Sequence, residues 1–165
     1  MTQRLVVGQS IVHCRYGAGT VVRVRKGRDD EDSDHYYVID IPSRDLKVHL
    51  PADAGEELNL RQPASPRAIL TAIEALAAEA EELPRDYRER RAQVAASLDK
   101  GTVLILAEVI RDLVGLKDRK TLSTLESTWL TNAKRRLAGE IALVMDLALD
   151  DAAQRIEHAL HRVPA

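Results

Sequence analysis

From Leu5 to about Leu60 apolar residues recur at every second position in short runs broken by Gly, Pro and Asp, and beyond Arg61 they recur at every third and fourth. The first period is that of a strand, whose successive side chains point to opposite faces; the second is that of a helix with one buried stripe. Strands are predicted over residues 10–14, 19–25, 35–41, 45–50 and 57–60. In the fourth, Leu46, Val48 and Leu50 face inward while Lys47 and His49 face out. Tyr16-Gly17-Ala18-Gly19 offers two glycines where a reversal needs positive φ, and Pro42-Ser43-Arg44-Asp45 joins two strands. Short antiparallel strands this closely spaced predict a small bent sheet or an SH3-like barrel, since closure limits exposed edges.

Gln62-Pro63-Ala64-Ser65-Pro66 reads as a linker ending in a helix start, with Ser65 as cap and Pro66 in the first turn. Ile69, Leu70, Ile73, Leu76, Ala77 and Ala80 form the stripe of a first helix that Pro84 ends. A second helix runs from near Asp86 to Lys100, with Val94 and Leu98 inward and Gly101 as its stop. Thr102 caps a third, in which Val103, Leu104, Leu106, Ala107, Val109, Ile110, Leu113 and Val114 cover so much of the circumference that it is expected at the buried centre. Ser123-Thr124-Leu125-Glu126 matches a capping box and opens a long fourth helix through Trp129, Leu137, Ile141 and Val144. Asp150 or Asp151 caps a fifth carrying Ile156, Ala159, Leu160 and Val163. The fold class is therefore α+β, with a small β domain over residues 1–62 and an all-α five-helix bundle over 66–165.

Composition narrows the function. Lys and Arg number 24 against 26 Asp and Glu, so no strong overall field draws in nucleic acid and any such contact must be local. The single cysteine, Cys14, excludes an internal disulfide framework and a Cys-rich zinc site. No apolar run approaches the roughly 18 residues that span a bilayer. Met1-Thr2-Gln3-Arg4 leads only into Leu5-Val6-Val7, so a cytoplasmic location without a secretory leader is expected.

Enzyme motifs are absent: there is no Gly-rich phosphate loop, nucleophile elbow or paired-histidine helix. His13 beside Cys14 suggests a base and nucleophile, but neighbours on a strand point apart, which favours a buried Cys14 and an exposed His13 over a small hydrolase. His158 and His161 lack further ligands, and the acidic run Asp29-Asp30-Glu31-Asp32-Ser33-Asp34 lacks the glycine and terminal glutamate of an EF-hand loop, so it is expected as a solvated hairpin tip. No metal and no cofactor are expected. Two basic clusters are more informative. Arg85-Asp86-Tyr87-Arg88-Glu89-Arg90-Arg91 gathers four arginines and one aromatic at a helix N-terminus, a plausible edge for DNA. Lys134-Arg135-Arg136 reads as a solvated face, and Trp129, on the apolar stripe, as core.

Several stretches resemble the CarD/CdnL family of bacterial RNA polymerase-binding transcription regulators over nearly the full length. Val7 to Val12 and Tyr16 to Val21 resemble the opening of the family's Tudor-like domain, and Lys47 to Pro51 its final strand. Ala107 to Leu113 and Leu137 to Ala142 resemble two of its helical segments. The resemblance implies a Tudor-like barrel that docks on the polymerase β subunit through Arg25, Lys47 and His49. It also implies a helical domain that meets promoter DNA without sequence specificity at the upstream edge of the −10 element, through Arg85, Tyr87, Arg88, Arg90 and Arg91.

By this likeness an aromatic wedge at the upstream fork keeps the opened duplex from closing, and the protein is a monomer when free and not an enzyme. Tyr87 stands where the family has tryptophan, Glu89 and Ala92 where it is usually basic, and His49 where it usually has arginine. The alternative is a polymerase- or protein-binding paralogue that has lost productive DNA contacts.

Overall fold

The computed structural model describes residues 4–162. They fall into two compact units divided between Pro63 and Ala64. In the first, β1 (Ser10–His13), β2 (Gly17–Lys26), β3 (His35–Ile41), β4 (Leu46–Pro51) and β5 (Leu60–Arg61) form one antiparallel sheet in the order β4-β3-β2-β1-β5. Its inner face carries a core of Leu5, Ile11, Val21, Tyr37, Ile39, Ile41 and Leu58. Val48 and Leu50 pack against that core as their alternation predicts, whereas Leu46, at the start of β4, remains 37% exposed.

The sheet is open among the described residues, so of the two expected forms, a small sheet or a closed barrel, barrel closure is not found. Closure needs a last strand long enough to pair on both sides, but Gly55–Leu58 winds into a 3-10 turn where a strand from residue 57 was expected. The remaining β5 matches β1 only at Val12↔Arg61 and His13↔Leu60. Among the described residues β4 and β5 are the two edges.

The run Val21-Val22-Arg23-Val24-Arg25 poses a problem that the backbone solves. Val21 is fully buried, so strict alternation would send Arg23 and Arg25 into the core as well. A bulge between Val21 and Arg23 shifts the register, pairing Val21 with Ile39 but Arg23 with Val38 and Arg25 with Tyr36. One extra residue thereby turns both arginines to the outer face. Gly19 serves close approach rather than reversal: it lies within β2, where a Cβ would overlap the Asp40 carbonyl and the Ile39 side chain. The positive φ of 106° belongs to Gly17.

The second unit comprises α1 (Pro66–Ala77), α2 (Tyr87–Lys100), α3 (Val103–Arg119), α4 (Thr124–Met145) and α5 (Leu149–Leu160). Ser65, Asp86, Thr102 and Ser123 each accept an amide of the first turn they precede, and Ser123 with Glu126 completes the capping box. On α3, Leu106, Ala107, Ile110 and Leu113 are at most 1% exposed, as expected of a central helix, while Leu104 faces outward at 39%. Trp129 packs half-buried against this core.

Two helix boundaries differ from expectation. Helix α1 ends at Ala77, well before Pro84, and residues 78–86 form a non-helical strap. Tertiary contacts hold the strap: the Glu81 amide donates to Asp112 Oδ1 at 2.9 Å, Leu83 is buried, and Ala80 lies against Gly115. Helix α5 is capped two or three residues early, at Ala148, which makes no side-chain cap. Asp150 and Asp151 fall in its first turn instead, where their charge favours the positive end of the helix. Val163 lies outside the described residues.

Candidate functional site

The strap delivers the chain to the head of α2 in an orientation fixed by Asp86, whose carboxylate accepts the Glu89 amide at 3.0 Å. Because a carboxylate already caps this end, phosphate recognition here falls to side chains rather than to free amides. Arg85, Tyr87, Arg88 and Arg91 are all exposed. The Arg85 side chain is 94% exposed and comes no nearer than 3.8 Å to Glu82. Tyr87 is 40% exposed, an unusual setting for one of only five aromatic residues, four Tyr and one Trp.

Arg90 does not join this surface. It is 3% exposed, and its Nε donates to Glu126 Oε2 at 2.6 Å while one terminal nitrogen donates to the carbonyls of Pro84 and Arg85 at 3.0 and 3.2 Å. Its guanidinium carbon lies 5.4 Å from the centre of the Tyr87 ring. The expected phosphate contact is corrected to an internal one, for a reason visible in the helix period. Arg90 precedes the buried Val94 by four and shares its inward stripe. Burial alone pushes the Glu126 carboxyl up, but hydrogen bonds from Arg90 and Ser123 outweigh it and hold the group below its usual range.

On the outer sheet face the bulge brings Arg25 beside β4. Its Nε donates to His49 Nδ1 at 2.9 Å, its two terminal nitrogens grip Glu31 at 2.7 and 3.0 Å, and its guanidinium stacks 4.3 Å over the Tyr36 ring. The Arg28 amide adds a bond to Glu31 at 2.9 Å, so the acidic loop is folded back by its glutamate rather than wholly solvated. Hydrogen bonding to Arg25, followed by the Arg28 amide, lowers the Glu31 carboxyl from 4.5 to about 2. Lys47 is exposed, two residues from His49 on the same face of β4, and lies opposite Asp40. Arg25 and His49 are thus brought into direct contact, with Lys47 alongside. Tyr36 and Glu31, which complete the cluster, were not singled out in the sequence because their roles depend on cross-strand register.

The remaining candidates make structural contacts. His13 is 7% exposed, not exposed as expected, and Cys14 is only half-buried. The imidazole Nδ1 accepts the amides of Arg15 and Tyr16 at 3.0 and 3.2 Å, which fastens the turn after β1. Lys134 pairs with Glu157 at 2.7 Å, and Arg136 donates to the Leu98 carbonyl at 3.2 Å. His161 lies 3.5 Å from Glu157. Among the described residues no three His, Cys, Asp or Glu side chains are grouped to hold a metal, and no helix is long and apolar enough to cross a membrane.

Comparison with known proteins bears on these two surfaces. The model of the CarD C-terminal domain matches residues 71–157, and that of the CarD-like/TRCF RID domain matches residues 5–62. The two units are those of a transcription-associated regulator, and neither matched model describes an enzyme. The chain belongs to the CarD/CdnL family. A protein of Bacillus subtilis (strain 168) named "Putative transcription factor YdeB" is 24% identical over 138 residues, covering 84% of this chain and 90% of that protein.

Proposed function

We propose that this protein is an RNA polymerase-bound regulator that stabilises the promoter open complex. In this reading the sheet unit, Tudor-like in kind though open, docks on the polymerase β subunit through Arg25, Lys47 and His49. The helical unit meets promoter DNA, without reading sequence, at the upstream edge of the −10 element. The observation that carries it is the exposed Tyr87 at the head of α2, set among the exposed Arg85, Arg88 and Arg91. An aromatic ring inserted at an opening fork offsets unstacking of a few kcal/mol per step with contacts to distorted DNA, while arginines hold the phosphates on either side. A preference for the open form of about 1–3 kcal/mol shifts that equilibrium roughly 5- to 150-fold, so a small contact suffices. The protein acts as a cytoplasmic monomer until polymerase binds it, and needs neither metal nor cofactor.

The test is Tyr87→Ala in the full chain with polymerase and a promoter. Polymerase binding is expected to persist while open-complex lifetime falls about fivefold or more; an unchanged lifetime removes Tyr87 from the mechanism. A second reading, a paralogue bound to polymerase without productive DNA contact, is favoured by Arg90 being spent internally and by the exposed Glu89 carboxylate within the arginine cluster. Crosslinking separates the two, since only the first places the α2 head against DNA at the −10 upstream edge.

A further inference from the structure

The side chain beneath Tyr87 is as unusual as the ring above it. An arginine buried in a helical core must satisfy a charge and several N–H donors at once, and Arg90 does so by joining three separate pieces of chain. Its Nε meets Glu126, which sits in the first turn of α4 and whose other oxygen accepts the Ser123 amide at 3.0 Å. One terminal nitrogen is shared between the carbonyls of Pro84 and Arg85, the last strap residues before the Asp86 cap. The guanidinium carbon is 5.4 Å from the Tyr87 ring centre. Those carbonyls lie in a non-helical segment with no helical ladder to bind them, so their orientation, and that of the ring two residues on, depends on this fork.

We propose that Arg90, held by Glu126, is the positioning residue for Tyr87: it fixes the strap and supports the ring so that the aromatic face is presented already ordered. The inference rests on the promoter reading given above for what Tyr87 does, but the anchoring itself is a property of the free protein. Ordering in advance matters because a side chain and loop immobilised only on binding would weaken the contact by the entropy of doing so. Lysine cannot substitute. It retains the charge for Glu126 but is a point donor without the planar fork that reaches the carboxylate and the strap carbonyls together.

The test uses the full chain carrying Arg90→Lys, with Arg90→Met/Glu126→Gln as a second variant. The latter removes the buried charge pair while glutamine can still accept from Ser123 as the last residue of a capping box. Two readouts are needed. The first is amide hydrogen exchange of the free protein. The Glu89 and Arg90 amides, which close the first turn on Asp86, are expected to exchange about 5- to 30-fold faster in both variants, with α3 unchanged.

The second readout is open-complex lifetime with polymerase, measured in a cycle with Tyr87→Ala. Arg90→Lys should shorten the lifetime when Tyr87 is present and add nothing when it is absent; a general loss of stability would act equally in both backgrounds. Unchanged exchange at the head of α2 in both variants overturns the anchoring. Equal lifetime effects with and without Tyr87 overturn the positioning role. Faster exchange together with lifetimes that ignore every variant, Tyr87→Ala included, would instead overturn the promoter reading.

Discussion

Glu31 takes both terminal nitrogens of Arg25, at 2.7 and 3.0 Å, and a third donor from the Arg28 amide at 2.9 Å. Three donors to one carboxylate favour its ionised form, which is why it titrates at about 2 instead of 4.5. A carboxyl whose folded value is depressed contributes stability that is complete above its unfolded value and is lost as pH falls toward the folded one. The tip of the β2–β3 hairpin should therefore hold its closed form through mild acid and release between pH 4.5 and about 2. Titration of the Glu31 side chain by carbon-detected NMR checks this: a midpoint near 2 is expected in the native chain, and a clearly higher one, shifted toward 4.5, in Arg25→Gln, where the Arg28 amide remains. Because Arg25 also donates to His49, the same substitution should perturb the His49 ring resonances. Glu126 obeys the same sign by a different route, since burial opposes its ionisation and the bonds from Arg90 and Ser123 restore it.

The junction of α2 and α3 shows why element ends are well determined by local sequence. Gly101 sits at φ 61° in the left-handed region, closes α2 through its amide on the Ser97 carbonyl, and is followed at once by the Thr102 cap of α3. The Arg136 guanidinium occupies the space a Cβ would enter. Gly101→Ala is expected to destabilise the helical unit by about 1–2 kcal/mol from the backbone alone, more if Arg136 must move. Urea unfolding measures it, as a lower midpoint at an unchanged slope.

The caps at Ser65, Asp86, Thr102 and Ser123 were legible for the same reason: each is a contact within one turn, encoded in adjacent residues. The strand alternation of β3 and the stripe of α3 were legible because burial there is periodic. The bulge in β2 was not, because a valine-arginine alternation reads as one unbroken strand until the buried Val21 is fixed against β3. Nor was the strap, which is held by Asp112 of a helix 31 positions away. Arg90 was missed by composition: spacing places it four before the buried Val94, but it places Arg91 three before the same residue, and only the contact with Glu126 tells the two apart.

At the scale of the whole chain, 24 basic residues are outnumbered by 26 acidic ones, so long-range attraction cannot bring this protein to DNA. With Arg90 internal, the head of α2 offers three exposed arginines, Arg85, Arg88 and Arg91. A regulator so equipped works only if something else holds it near its target, when effective concentration replaces intrinsic affinity. Under the proposed function, the division into two units allows that arrangement, one to be held and one to touch template.

The argument has a quantitative consequence for the free protein. Binding to duplex DNA should be weak, in the range of about 10⁻⁴ to 10⁻⁶ M at physiological salt. Its logarithm should fall with that of salt concentration at a slope no steeper than about −2.7, the release expected for three neutralised phosphates. Fluorescence anisotropy across a salt series measures both quantities. On the proposed docking of the sheet unit to polymerase, Lys47→Glu should leave this slope untouched yet abolish the effect on open-complex lifetime. Nanomolar binding to free duplex, or a slope twice as steep, would mean that a second basic surface such as Lys134 to Arg136 carries the contact and that tethering is not what this protein relies on.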